Sequence, residues 1–179
     1  MTKAGPKTRE LGEWLHEHCY THDLDFNVYY DHGDKNEGKH VAASEIFYGQ
    51  KVSHSTHLAD VDIAVGTKDG IAKLMIEVEE HPPNPKKILG TFLTNMIGHG
   101  FHAAGRNYYV DENTSLILSF WFTNKGHGRE KAEYLFNKVK EKGAFPEGIL
   151  VKNIHLILES DLSRLIETTK EAVLEQLSL

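Results

Sequence analysis

Apolar residues at helical spacing predict four amphipathic helices along the chain. The first covers 8–20. The second begins at Asn84, a good N-cap residue, and has Pro85 at its first helical position. We expect its apolar stripe to continue as a helix to Gly105. The third and fourth helices are the stretches REKAEYLFNKVKEKG and DLSRLIETTKEAVLEQL.

Alternating or continuous apolar runs predict the strands. A short strand is expected at Phe26–Tyr30, and the turn TKDG further along is a typical hairpin sequence because of its Asp-Gly pair. The run SLILSFWF is apolar on both faces, which is typical of a central strand. The other main strands are the stretches VAASEIFYG, HLADVDIAVG, IAKLMIEVEE and VKNIHLILES.

The order of the main elements is helix, three strands, helix, strand, helix, strand, helix. This αβββαβαβα order predicts an α/β fold with a central mixed sheet and helices on both faces. A length of 179 residues, without a linker or an internal repeat, fits one domain over 1–179.

Composition and charge narrow the class of protein. With 40% hydrophobic and 26% charged residues, the chain has an ordinary globular composition. A formal charge of −6 argues against a chain that is basic all over, but it leaves room for a local basic face. The single cysteine, Cys19, excludes an internal disulfide. Without a signal peptide or an apolar run long enough to span a membrane, we expect a cytoplasmic protein with no membrane partner.

Acidic residues occupy alternate positions on two strands that the TKDG turn joins. Asp60 and Asp62 are expected on one face of their strand, and Glu77 and Glu79 on one face of the next. Four carboxylates in one patch repel each other, and a cation would remove that cost. Oxygen-rich clusters of this kind suit Mg²⁺ or Mn²⁺. The alternative is that these residues mark only the solvent face of an amphipathic hairpin.

Two lysines, Lys86 and Lys87, follow in the first turn of the second helix. Cations there oppose the helix dipole, at a cost of roughly 0.3–1 kcal/mol. Their position is easier to understand if the carboxylates lie close by. The alternative is that both side chains are solvated at the surface.

With these residues the chain resembles the PD-(D/E)XK nuclease superfamily, whose members have the restriction-endonuclease-like fold. The stretch ADVDIAVG supplies the motif aspartate, and IEVEE supplies Glu77, with Glu79 where the family usually has lysine. The resemblance implies that Asp62, Glu77 and Glu79 hold Mg²⁺ or Mn²⁺. Asp60 is either an additional ligand or the main aspartate ligand in place of Asp62. It implies that Lys87 or Lys86 takes over the role of the motif lysine. The family's further acidic ligand would be Glu10, Glu13, Glu17 or Glu45.

The function implied is a metal-dependent nuclease that acts on DNA rather than RNA and that forms a homodimer. One alternative, favoured by the missing lysine, is a catalytically inactive nucleic-acid-binding or structural module on the same fold. Another is an unrelated metal-dependent α/β hydrolase. The sequence contains no nucleophile-elbow, Walker A or dinucleotide-binding glycine pattern.

Four further residues are candidate contacts with substrate phosphates: His57, Lys125, His127 and Arg129. The last three lie in the stretch TNKGHGREK, whose glycines permit close approach of a phosphate just before a helix N-terminus. A plain polar turn is the alternative there. His99 and His102 are three apart on the expected second helix, but the ligand set for zinc is incomplete.

Overall fold

The computed structural model describes residues 5–31, 42–123, 128–141, 151 and 153–178, and it has the predicted α/β architecture with an open mixed sheet flanked by helices. The helices are α1 (Pro6–Thr21), α2 (Pro85–Ile97), α3 (Gly128–Glu141) and α4 (Leu162–Leu177). The strands are β1 (Phe26–Tyr30), β2 (Ser44–Phe47), β3 (His57–Val61), β4 (Ile63–Thr67), β5 (Ile71–Glu79), β6 (Gly100–Ala103), β7 (Arg106–Trp121) and β8 (Asn153–Glu159).

The long strand β7 organises the sheet. Neighbouring strands follow the order β1-β4-β5-β7-β6-β2-β3, and β8 also pairs with β7. The second half of β7 is the predicted central strand: it runs parallel to both β5 and β8 and is buried from Thr114 to Phe120. Its first half continues the strand beyond the prediction and pairs antiparallel with β6.

The predicted strand HLADVDIAVG is two strands, not one. It breaks at Asp62, so that β3 pairs with β2 while β4 pairs with β1 and β5. Apolar alternation continues across the break because Val61 and Ile63 on either side are both buried. Periodicity therefore gave no sign that the chain changes its hydrogen-bonding partners at this residue.

The prediction that the second helix continues to Gly105 is wrong. The helix ends at Ile97, and the backbone of Gly98 is extended, with ψ at 138°. A Cβ on Gly100 would lie 2.0 Å from the carbonyl oxygen of Tyr108, so the chain here packs backbone to backbone against β7. This close packing makes the segment a strand, β6, and together with the split at Asp62 it changes the predicted αβββαβαβα order.

Two apolar layers cover the faces of the sheet. α1 and α4 pack on one face, where Leu74 and Ile76 of β5 join their core. α2 and α3 pack on the other, where Met75 of β5 lies. Because side chains alternate along a strand, Glu77 and Glu79 follow Met75 onto the α2 side. No helix in the described part of the chain is long and apolar enough to cross a membrane.

Glu80 fixes the start of α1 to the end of β5. The N-cap position of α1 is Gly5, which has no side chain to accept a hydrogen bond. Glu80 Oε1 accepts instead from the Thr8 backbone N–H at 2.7 Å and from the Thr8 hydroxyl at 3.0 Å. A Cβ on Gly5 would lie 2.3 Å from the Glu80 carboxyl carbon, so glycine lets the carboxylate reach the helix end. The carboxylate thus satisfies one of the free N–H groups at the positive end of the helix dipole.

We expect Glu80→Ala to lower the free energy of unfolding by about 1–3 kcal/mol, because it leaves the buried Thr8 groups without their acceptor. Urea denaturation monitored by circular dichroism measures this loss. Glu10→Ala is the matched control, since Glu10 lies on the same helix in an exposed pair with Lys7 and should cost less than about 1 kcal/mol. Equal losses in the two variants would contradict the anchoring role of Glu80.

Candidate functional site

A polar cleft of about 790 Å³ opens beside the end of β5 and the first turns of α2. Glycine and threonine residues of α2 form part of one wall. The charged residues that line the cleft are Asp31, Asp60, Asp62, Glu77, Glu79, Glu80 and Lys87. All four carboxylates that the sequence singled out therefore border one cleft.

Asp62 and Glu77 form the half-buried centre of the cleft. The β4–β5 ladder pairs Ile63 with Ile76, which brings the preceding Asp62 next to Glu77. Asp62 Oδ2 accepts a hydrogen bond of 2.8 Å from the Val78 N–H, and the Asp62 and Glu77 side chains are hydrogen-bonded to each other. Two carboxyl groups in this contact share a proton more easily than they both ionise.

Burial dominates the titration of both groups. Loss of solvent raises the pKa of Asp62 to about 6, although the hydrogen bond from Val78 opposes the shift. Burial also raises the pKa of Glu77 well above its ordinary value, and the negative charge of Asp62 raises it further. The pair therefore favours a bound proton, or a cation in its place, near neutral pH.

Asn95 of α2 holds the Glu77 carboxylate through a hydrogen bond. Its side chain is fully buried, and its Nδ2 donates to Glu77 Oε1 at 3.1 Å and to the Thr91 carbonyl at 2.8 Å. This hydrogen bond lowers the pKa of Glu77, against the larger effect of burial. Asn95 Oδ1 is buried without a hydrogen-bond partner among the described residues. A neutral amide thus orients Glu77 without cancelling its charge.

Lys87 brings a positive charge to the cleft from the first turn of α2. Asn84 caps the helix by accepting from the Lys87 N–H at 2.9 Å. The Lys87 ammonium then forms an ion pair with Glu79. Its charge lowers the pKa values of Asp62 and Glu77, although burial outweighs it in both groups. Lys86 is exposed on the same turn and does not line the cleft.

Asp60 lies in a different environment from Asp62. The expectation that they share a face of one strand is wrong, because β3 ends at Val61 and Asp62 lies in the bend before β4. Asp60 instead faces Glu45 across the β2–β3 ladder and accepts from His57 Nε2 at 2.9 Å. Glu45, His57 and Asp60 each have a ligand atom within 4.8 Å of those of the other two.

The other candidates lie away from the cleft or outside the described residues. Arg129 is exposed at the start of α3 and pairs with Glu133 at 3.0 Å. Lys125 and His127 fall outside the described residues. On α1, Glu10 and Glu13 form exposed pairs with Lys7 and Arg9, while Glu17 does not line the cleft. His99 and His102 do not share a helix, because α2 ends before them.

Three residues of the site were missed by the sequence reasoning: Asn95, Glu80 and Asp31. Asn95 had a detectable signal, because it is a polar residue next to Met96 inside the apolar stripe of α2. Asp31 directly follows the buried end of β1, and its N–H donates to the Asp62 carbonyl at 3.3 Å. Glu80 had no separate signal, because only the packing of α1 gives it a partner.

No protein-family model matches the chain, and neither a curated protein nor a solved structure matches it.

The raised pKa values predict how the stability of the metal-free chain depends on pH. The folded state binds the shared proton more tightly than the unfolded chain does. The stabilisation is therefore complete below about pH 4 and is lost as the pH rises through about 6. Asp62→Asn keeps an acceptor for Val78 and removes the charge, so it should stabilise the chain by about 1–3 kcal/mol at pH 7.5 and by less at pH 4.5.

Thermal unfolding in a chelating buffer across this pH range measures the difference between the two proteins. Asp69→Asn is the control, because Asp69 is exposed in the β4–β5 turn and keeps a good turn sequence. Parallel stability curves for the wild type and Asp62→Asn would contradict the Asp62–Glu77 pair as the source of the pH dependence.

Proposed function

We propose that the chain is a metal-dependent nuclease of the restriction-endonuclease-like fold that hydrolyses phosphodiester bonds in this cleft. The observation that carries the proposal is the half-buried Asp62–Glu77 pair in the cleft, with Glu79 and Lys87 beside it. The helix-flanked mixed sheet supports the same assignment, since Asp62 lies in the β3–β4 bend, Glu77 and Glu79 near the end of β5, and Lys87 at the start of α2.

The donor set fits a hard divalent cation. Asp62, Glu77 and Glu79 offer carboxylate oxygens, and a positive ion relieves the repulsion between like charges held close together. Mg²⁺ and Mn²⁺ prefer oxygen ligands and bind through a few carboxylates, water and substrate phosphate. When bound, the cation supplies Lewis acidity, which lowers the pKa of a water molecule and neutralises charge on the phosphate.

Glu79 and Lys87 together account for the departure from the family's motif. Glu79 stands where the family has lysine, and its carboxylate pairs with the Lys87 ammonium. The positive charge of the motif is therefore supplied from α2 instead of β5. We assign Lys87 the role of orienting the attacking water and stabilising negative charge that develops on the phosphate. Asn95 keeps the Glu77 carboxylate in place through its hydrogen bond.

DNA is the proposed substrate and a homodimer the proposed assembly, both on the family resemblance. Contacts of Lys125, His127 and Arg129 with substrate phosphates stay predictions. A second candidate function is an inactive nucleic-acid-binding or structural module. It is favoured by the Lys87–Glu79 ion pair, because a lysine bound in this way is less free to act on a substrate.

Glu77→Gln should abolish high-affinity Mn²⁺ binding, because it removes the charge of the central ligand and keeps its shape. Calorimetric titration of the wild type and the variant measures this, with cleavage of plasmid, single-stranded DNA and RNA of matched sequence in parallel. Binding with cleavage supports the nuclease, and RNA cleavage alone would contradict DNA as the substrate. Binding without any cleavage favours the inactive module or another hydrolase. Absence of Mn²⁺ binding to the wild type would contradict the proposal.

Lys87→Met should lower the cleavage rate by about 10²–10³-fold, because it removes a charge aimed at the transition state. Mn²⁺ affinity should be kept or increase, since Glu79 then has no competing cation. Lys86→Met is the matched control, one residue away and exposed, and should retain the activity. Similar losses of activity in the two variants would mean that Lys87 contributes only general positive charge.

A further inference from the structure

Glu45 and Asp60 are an unfavourable pair on neighbouring strands. They lie directly opposite each other in the β2–β3 ladder, so their side chains share one face of the sheet. Like charges in this arrangement repel each other, and mutual repulsion destabilises the pair. The sheet therefore holds two carboxylates together at β3, the last strand in its order.

A β-bulge adds His57 to the same face. Residues three apart on a regular strand point to opposite faces, as His57 and Asp60 would. The register, however, passes from Ile46 opposite Ala59 to Phe47 opposite His57, and Leu58 is the extra residue. The bulge thus turns the imidazole towards the two carboxylates, and bulges often serve to redirect a side chain next to a functional site.

The three side chains meet at distances that suit one ion. Their ligand atoms lie within 4.8 Å of one another, and His57 Nε2 is 2.9 Å from Asp60 Oδ1. Donors around a tetrahedral zinc ion are about 3–3.5 Å apart, given metal–ligand bonds near 2.0–2.2 Å. Small changes of side-chain torsion bring the group to that spacing. The His57 and Asp60 side chains are 36% and 35% exposed, so an ion has access from solvent.

We propose that Glu45, His57 and Asp60 form a second cation site, selective for a transition metal such as Zn²⁺ over Mg²⁺. One imidazole nitrogen and two carboxylates are a borderline ligand set, unlike the all-oxygen set at Asp62 and Glu77. Three protein ligands leave a coordination position for water or a substrate oxygen. Because Asp60 also lines the cleft, an ion held by Asp60 would lie beside the cleft. The assignment uses different residues from the nuclease proposal and does not depend on it.

The test is calorimetric titration of the full chain with Zn²⁺ in the presence of excess Mg²⁺, which competes for the carboxylate oxygens of the cleft. The wild type should bind Zn²⁺ despite the Mg²⁺. His57→Asn keeps a hydrogen-bond donor for Asp60 but removes the imidazole ligand, so Zn²⁺ affinity should fall more than about tenfold. Asp60→Asn should reduce the affinity in the same way. Circular dichroism and thermal unfolding establish that each variant is folded.

His54→Asn is the matched control, because His54 is exposed in the loop just before β3 and is not one of the three ligands. It should bind Zn²⁺ like the wild type. Unchanged affinity in His57→Asn would overturn the proposal, as would complete displacement of Zn²⁺ by Mg²⁺. Neither result bears on nucleic-acid cleavage, so this inference and the proposed function can fail separately.

Discussion

The hydrogen bond from the Val78 N–H to the Asp62 carboxylate is the contact on which the rest of the site depends. β4 begins its pairing with β5 at Ile63, and the chain before Asp62, in β3, pairs with β2 instead. The Asp62 side chain supplies the acceptor that β5 needs just beyond that point, so a buried N–H group stays satisfied. The bend in the backbone and the burial of a carboxylate are therefore one feature, and the cleft opens beside it.

The energetic cost of that feature is offset only in part by the chain itself. Asn95 gives Glu77 a neutral donor, and the positive charge of Lys87 is already paired with Glu79. Neither contact returns the carboxyl groups of Asp62 and Glu77 to their ordinary pKa values. Binding of a cation would relieve the uncompensated negative charge in this solvent-accessible cleft. For this reason we interpret the pair as functional and not as part of the structural core.

The sequence predicted the features that depend on local periodicity and missed those that depend on tertiary contact. The helices, the hairpin and the central strand each have their own apolar pattern. The break at Asp62 has none, because alternation continues from Val61 to Ile63 while the pairing partners change. The early end of α2 depends on the close approach of Gly100 to Tyr108. In the site, Glu77 and Glu79 lie on one strand, as their spacing predicted, whereas the same spacing of Asp60 and Asp62 spans a break between two strands. The partners of Asp60 also depend on a bulge that the sequence does not reveal.

The strand break at Asp62 also links the two candidate cation sites, because Asp60 belongs to one and Asp62 to the other. Asp60 and Asp62 flank Val61, which is 1% exposed and belongs to the core on the α2 side of the sheet. A shift of either carboxylate along the chain would have to move this buried side chain, and closely packed cores resist such movement. The backbone positions of the mixed group on β2 and β3 and of the all-oxygen group in the β3–β4 bend and on β5 are thus held at a fixed separation. Two cations bound at a fixed separation beside one cleft would present an extended anionic ligand with a defined pair of positive charges.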